Sequence, residues 1–139
     1  MKITKTTEIK IKINQVVSRE ILENIFVTAL EGGSNYWYYL TERSVKKVRE
    51  AIPKTEEECL SIALFKAVMD KGISIPIYDA EEPEELIGII SLDTIEYRLQ
   101  KMINDGNGDH LLTELSENGD ADSSDAVFQY IALSEFVYC

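Results

Sequence analysis

Histidine, cysteine and proline are scarce in this chain, with one, two and three copies in 139 residues. The single histidine, His110, excludes a His-rich zinc site or a histidine pair and argues against a Cys–His nucleophile. Two cysteines cannot form a disulfide framework. Cys59, placed inside an expected helix, reads as a small buried hydrophobe and Cys139 as a free terminal thiol, which suits a reducing compartment. No apolar run approaches the roughly 20 residues of a transmembrane helix. Met1 to Lys12 alternates Lys and Thr with Ile and lacks an apolar core, so no signal peptide is expected. A cytoplasmic location away from membranes follows as the expectation. Basic residues are also scarce beyond residue 54, where four Lys/Arg face nineteen Asp/Glu.

What is present is enough for one folded unit. The hydrophobic fraction is 45%, and the length suits a single domain over residues 1–139 that buries roughly two thirds of its extended surface. Net charge is −11. Residues 1–54 hold ten basic against six acidic side chains, a net of +4, and residues 55–139 carry a net of −15. Such a field repels nucleic acid and attracts a basic partner. The plainer reading is a solvated acidic face.

Periodicity then sets the elements. Ile9, Ile11 and Ile13 alternate with Lys10 and Lys12, the pattern of a strand with one wet face. Ser18 predicts a helix cap ahead of Ile21, Leu22, Ile25, Phe26 and Ala29, with Gly32 and Gly33 ending the helix where positive φ is needed. Tyr36 to Leu40 is a candidate short strand. Ser44 to Ala51 reads as a basic helix stopped by Pro53, and Thr55 as the cap of a helix buried through Leu60, Leu64, Ala67 and Val68 and ended by Gly72. Ile73 to Ile77 and Leu86 to Ile90 form an expected antiparallel hairpin around the acidic turn Asp79 to Glu85.

Ser91 or Asp93 should cap a helix with Ile95, Leu99 and Met102 on one face. Residues 104–109 and 117–124 read as polar loops flanking a short helix from His110 to Leu115. Ser123 or Ser124 should start a final amphipathic helix with Val127, Tyr130, Ile131 and Val137 inward. Strands and helices do not alternate regularly, so the expected class is α+β, a small antiparallel sheet packed against several helices.

Chemical signatures are weak. Asp105, Asn107 and Asp109 match the first three oxygen positions of a calcium loop. However, His110 stands where glycine is required and Ser116 where the bidentate glutamate is required. Gly32-Gly33 follows a helix rather than opening one, so it is no phosphate cradle. No cofactor is expected. Tyr36-Trp37-Tyr38-Tyr39, after the glycine pair, is the most unusual stretch. Its aromatics serve either as core and rim of a small sheet or as a platform for a flat ligand such as a nucleotide. Asp125 and Gln129 share a helix face at i,i+4, and turned inward they would form a polar patch.

Two segments, Ala29-Leu-Glu-Gly-Gly-Ser-Asn-Tyr-Trp37 and Asp122 with Asp125-Ala-Val-Phe-Gln-Tyr130 and Glu135-Phe-Val-Tyr138, carry a resemblance. The sequence there resembles a family of small uncharacterised proteins encoded by phages, prophages and plasmids. The resemblance implies a mobile-element origin and a fold in which the two segments meet. It makes Glu31, Asn35, Tyr36, Trp37, Asp125 and Gln129 the candidate ligand-binding residues. Ser134 stands where such proteins often place glycine, and Tyr38 where some have a small polar residue.

Four functions compete on these grounds. The leading one is a non-catalytic accessory or anti-defence protein that binds a basic host protein through its acidic surface. The alternative is a nucleotide-like ligand bound by segment 36–39 and the polar face of the last helix. An enzyme using Glu31 and Asp125 as an acid/base pair lacks an activated nucleophile. A nucleic-acid binder through Lys2, Lys5, Lys10, Lys12 and the Arg43 to Arg49 cluster is opposed by the total charge. The sequence leaves self-association open.

Overall fold

The structure is a computed structural model that describes residues 8–9, 15–53 and 59–139. Of the expected N-terminal strand, Ile11 and Ile13 lie outside the described residues and Ile9 is exposed. Thr55 also lies outside them.

Helix α1 (Arg19–Thr28) begins where expected, with the Ser18 hydroxyl accepting from the Ile21 N–H at 3.2 Å. It buries Leu22, Ile25 and Phe26. It does not stop at a left-handed glycine. The backbone continues into a widened π-type turn, Ala29–Gly33, closed by the Ser34 N–H donating to the Ala29 carbonyl at 2.8 Å. Gly32 is extended there, at φ 174°. Gly33 is tightly placed instead, since a Cβ would lie 3.0 Å from the Ala121 carbonyl oxygen, which would have to give by a few tenths of an ångström.

Strand β1 (Tyr38–Tyr39) leads to helix α2 (Glu42–Ala51), which starts ahead of the expected Ser44 because Thr41 accepts the Ser44 N–H at 3.1 Å. Helix α3 (Leu60–Lys71) has Cys59 at its N-cap rather than in its interior and ends at Gly72, at φ +64°. Strands β2 (Ile75–Asp79) and β3 (Leu86–Ile90) form the expected hairpin, and β1 pairs antiparallel with β2 to complete a three-stranded sheet. Helices α4 (Leu92–Asn104), α5 (Gly108–Leu115) and α6 (Ala121–Leu133) follow. This is the α+β class that the sequence implied.

The segment read as a loop at 104–109 is a tight turn. The Asp105 carboxylate accepts from Lys101 Nζ at 2.8 Å and from the Tyr130 hydroxyl at 3.0 Å, while Asn107 donates to that hydroxyl at 2.8 Å. Lys101, then Tyr130, hold the Asp105 carboxyl below the usual carboxylate range. Two of the three candidate calcium ligands therefore engage protein groups. The second loop is shorter than expected because Asp120, not Ser123 or Ser124, caps α6. Asp120 accepts the Ser123 N–H at 2.9 Å, and Ser123 Oγ accepts the Asp120 N–H at 3.0 Å, a reciprocal capping box.

Helix α6 is the centre of the molecule. Every residue from Ser123 to Ala132 is buried, so it is not the amphipathic helix its pattern suggested. It packs against α1, α4, α5 and β3. Phe128 meets Phe26 edge-on at 5.5 Å, and Phe26 meets Phe65 at 5.1 Å. Val137 lies beyond the end of α6 and is exposed, against expectation.

Carbonyls at the end of α6 are satisfied from α4. Arg98 donates to the Ile131 carbonyl at 2.6 Å and Lys101 to the Ser134 carbonyl at 2.8 Å, which suits the negative end of the helix dipole. Ser134 itself stands at φ +66°, a left-handed conformation that a Cβ disfavours by roughly 1–2 kcal/mol. Ser134→Gly should therefore stabilise the fold by about 0.5–1 kcal/mol after the glycine's extra unfolded-state entropy is counted. A thermal melt should rise by roughly 2–4 °C.

Candidate functional site

The two segments singled out in the sequence meet at one carboxylate. Helix α6 delivers Asp125 to the turn that follows the π-type turn, where it accepts four hydrogen bonds. Ser34 Oγ and Trp37 Nε1 donate to Oδ1, each at 2.7 Å. The Tyr36 hydroxyl and Gln129 Nε2 donate to Oδ2, at 2.6 and 3.1 Å. Asp125 is only 7% exposed. Burying a carboxylate is costly unless its lone pairs are filled, and here all four donors come from protein side chains.

Gln129, fully buried one turn on, holds the C-terminal tail. Its Oε1 accepts the Val137 and Tyr138 N–H groups at 2.9 and 2.8 Å, and its Nε2 donates to the Tyr138 carbonyl at 2.9 Å. These bonds set the Tyr138 ring flat against Trp37, with centroids 5.5 Å apart and planes 3° from parallel. Trp37 also packs on Tyr38 and Phe128 and is 2% exposed. The platform a flat ligand would use is thus covered by the protein's own tail.

Of the six candidate residues, four converge: Tyr36, Trp37, Asp125 and Gln129. Tyr36 is an exposed residue whose hydroxyl makes a part-buried bond to Asp125. Burial first, then the bond to Asp125, pushes that hydroxyl well above its ordinary range. Glu31 and Asn35 are exposed and are not among the partners of Asp125. Glu31 instead lines a cavity of about 130 Å³ with Leu30, Tyr38 and Cys59. The acid/base pairing of Glu31 with Asp125 finds no support in this placement.

Sequence reasoning missed two participants. Ser34 supplies a donor to Asp125, and Tyr138 supplies the stacking ring. Both lie inside the quoted segments, but nothing local marks a serine as a donor to a residue 91 positions away. A second buried carboxylate was missed altogether. Glu114 of α5 is 7% exposed and accepts from Ser123 Oγ at 2.7 Å and Ser124 Oγ at 2.6 Å.

A further concentration of charge among the described residues is the β2–β3 turn. Asp79 Oδ1 accepts the Glu81 and Glu82 N–H groups at 2.7 and 3.2 Å, which folds the turn and displays Glu81, Glu82, Glu84 and Glu85 to solvent. The Glu85 carboxyl is raised above its ordinary range by its hydrogen bond to Glu82, then by the charges of Glu82 and Asp79. Ion pairs of the described residues, such as Arg19–Asp70 and Lys101–Asp105, lie on other elements. No helix among the described residues is long and apolar enough to cross a membrane. No protein-family model, curated protein or solved structure matches the chain.

Proposed function

We propose that this chain is a non-catalytic accessory protein, of mobile-element type, that binds a basic host protein through the acidic β2–β3 turn. The observation that carries the reading is the turn itself, where five carboxylates within residues 79–85 are held by an ordered backbone. Glu82 and Glu85 are close enough to hydrogen-bond, a like-charge contact that a Lys or Arg side chain would relieve. The Asp125 cluster supports the same conclusion from the other side. Its polar atoms are taken up by protein partners, so it serves as a joint between segments and leaves recognition to the surface.

The test compares wild type with the variant Glu81→Gln, Glu82→Gln, Glu84→Gln, Glu85→Gln. A basic protein captured from host lysate is purified and its Kd measured against both. The variant should bind at least tenfold more weakly, and raising salt from 0.05 to about 0.5 M should abolish the difference by screening. The sign with pH follows from Glu85. Its pKa is raised above the ordinary carboxylate value, so the turn gains its full negative charge only as pH rises through that value, and binding should strengthen with rising pH. Equal affinity of wild type and variant would refute the reading.

A further inference from the structure

Between α1 and the α5–α6 connection lies a polar cavity of about 280 Å³, just below the usual range of small-molecule sites, roughly 300–1,000 Å³. Its walls include Glu20, Asn24 and Thr28 from α1, and Glu114, Glu117 and Ser124 from the opposite side. Glu114 is the most deeply buried of the three carboxylates. Both of its hydroxyl donors, Ser123 and Ser124, go to Oε1. Oε2 accepts no hydrogen bond from any described residue, and no described cation pairs with the carboxylate. A carboxylate more than nine-tenths buried, with one oxygen given no donor by the described residues, is an arrangement that a cation would stabilise.

Gly119 makes the arrangement possible, since a Cβ at that position would stand 2.0 Å from Glu114 Oε2. Any larger residue would drive the carboxylate out of its place. The charges are also spread apart. No three Asp, Glu, His or Cys side chains among the described residues come together as a metal would require. Three carboxylates around one polar space, not gathered as a metal would require, match several positive centres on one flexible chain better than one compact ion. Thr28, Asn24 and Ser124 add neutral oxygens that can accept ammonium hydrogens.

We infer that this cavity binds a linear aliphatic di- or polyamine, with one ammonium on Glu114 Oε2 and another near Glu20 or Glu117. This site is separate from the acidic turn, and its test does not depend on the turn's role. The experiment is isothermal titration of the full chain with spermidine and 1,4-diaminobutane in 0.15 M NaCl, with magnesium as the compact-cation control. One-to-one binding is expected. Glu114→Gln should weaken it by about tenfold or more, the loss expected for a buried charge-assisted hydrogen bond. Glu20→Gln, an exposed rim change that leaves the core intact, should weaken it roughly threefold. Glu82→Gln with Glu85→Gln should leave it within about twofold, whereas magnesium should not displace the amine. A loss of affinity in the turn variant equal to that in Glu114→Gln would reveal counter-ion binding to the acidic surface and overturn the inference. So would undiminished binding in both Glu114→Gln and Glu20→Gln, or no binding to wild type at millimolar amine.

Discussion

Asp125→Ala should destabilise the protein by about 4 kcal/mol, measured as a fall in the urea midpoint at constant slope. The substitution removes one acceptor group but strands several donors. Ser34 Oγ and Trp37 Nε1 are buried, and each would lose its bond to Oδ1. An unsatisfied buried donor costs roughly 1–3 kcal/mol, and the bonds lost are to a charge, which makes each stronger than a neutral pair. Tyr36 is 47% exposed, so water can replace its bond and its share is small. Gln129 would lose one of its four hydrogen bonds but keep those that grip the tail. Against a typical total stability of about 5–15 kcal/mol, the variant should be marginal. Asp125→Asn should cost less, about 2 kcal/mol, because the amide oxygen still accepts while its NH₂ group faces donors. Tyr36→Phe should cost about 1 kcal/mol or less. If Asp125→Ala unfolds no earlier than Tyr36→Phe, the carboxylate is not the joint that holds the two segments together.

Gly88→Ala should be nearly as damaging, by about 3 kcal/mol. Gly88 sits in β3 where the sheet crosses the end of α6. A Cβ there would lie 2.2 Å from the Ala132 carbonyl oxygen and 2.8 Å from Leu133 Cδ2. The leucine tip can rotate away, but the carbonyl belongs to a buried helix and cannot. Relief requires the sheet and α6 to separate by about an ångström, which opens voids along a close-packed interface. Arg98 would feel the same shift, because it bridges the Ile89 and Ile131 carbonyls at 2.7 and 2.6 Å. The expected readout is a lower denaturation midpoint together with loss of the near-UV signal from Trp37. A neighbouring exposed change in the same strand, Ile89→Ala, provides the contrast and should cost under about 1 kcal/mol.

The elements whose signals are local were legible from the residues alone. Ser18 caps α1 through a bond to a residue three positions on, and Gly72 ends α3 by adopting a left-handed φ. Ile75, Ile77 and Ile90 announced the hairpin by their spacing, and Ile95, Leu99 and Met102 the inward face of α4. The convergence of Trp37 and Tyr36 with Asp125 and Gln129 agrees with the expectation that the two quoted segments meet.

Tertiary structure decided what those residues do. Periodicity presented Asp125 and Gln129 as a polar stripe on an amphipathic helix, yet α6 is wrapped on all sides. No pattern within thirteen residues can say how many neighbours a helix will have. The tail covering Trp37, the backbone approach that demands glycine at position 88 and the half-filled carboxylate of Glu114 depend on contacts between distant parts of the chain. The physical reason is range. Caps, turns and periodicity act within a few residues, whereas burial and the filling of lone pairs depend on which elements pack together.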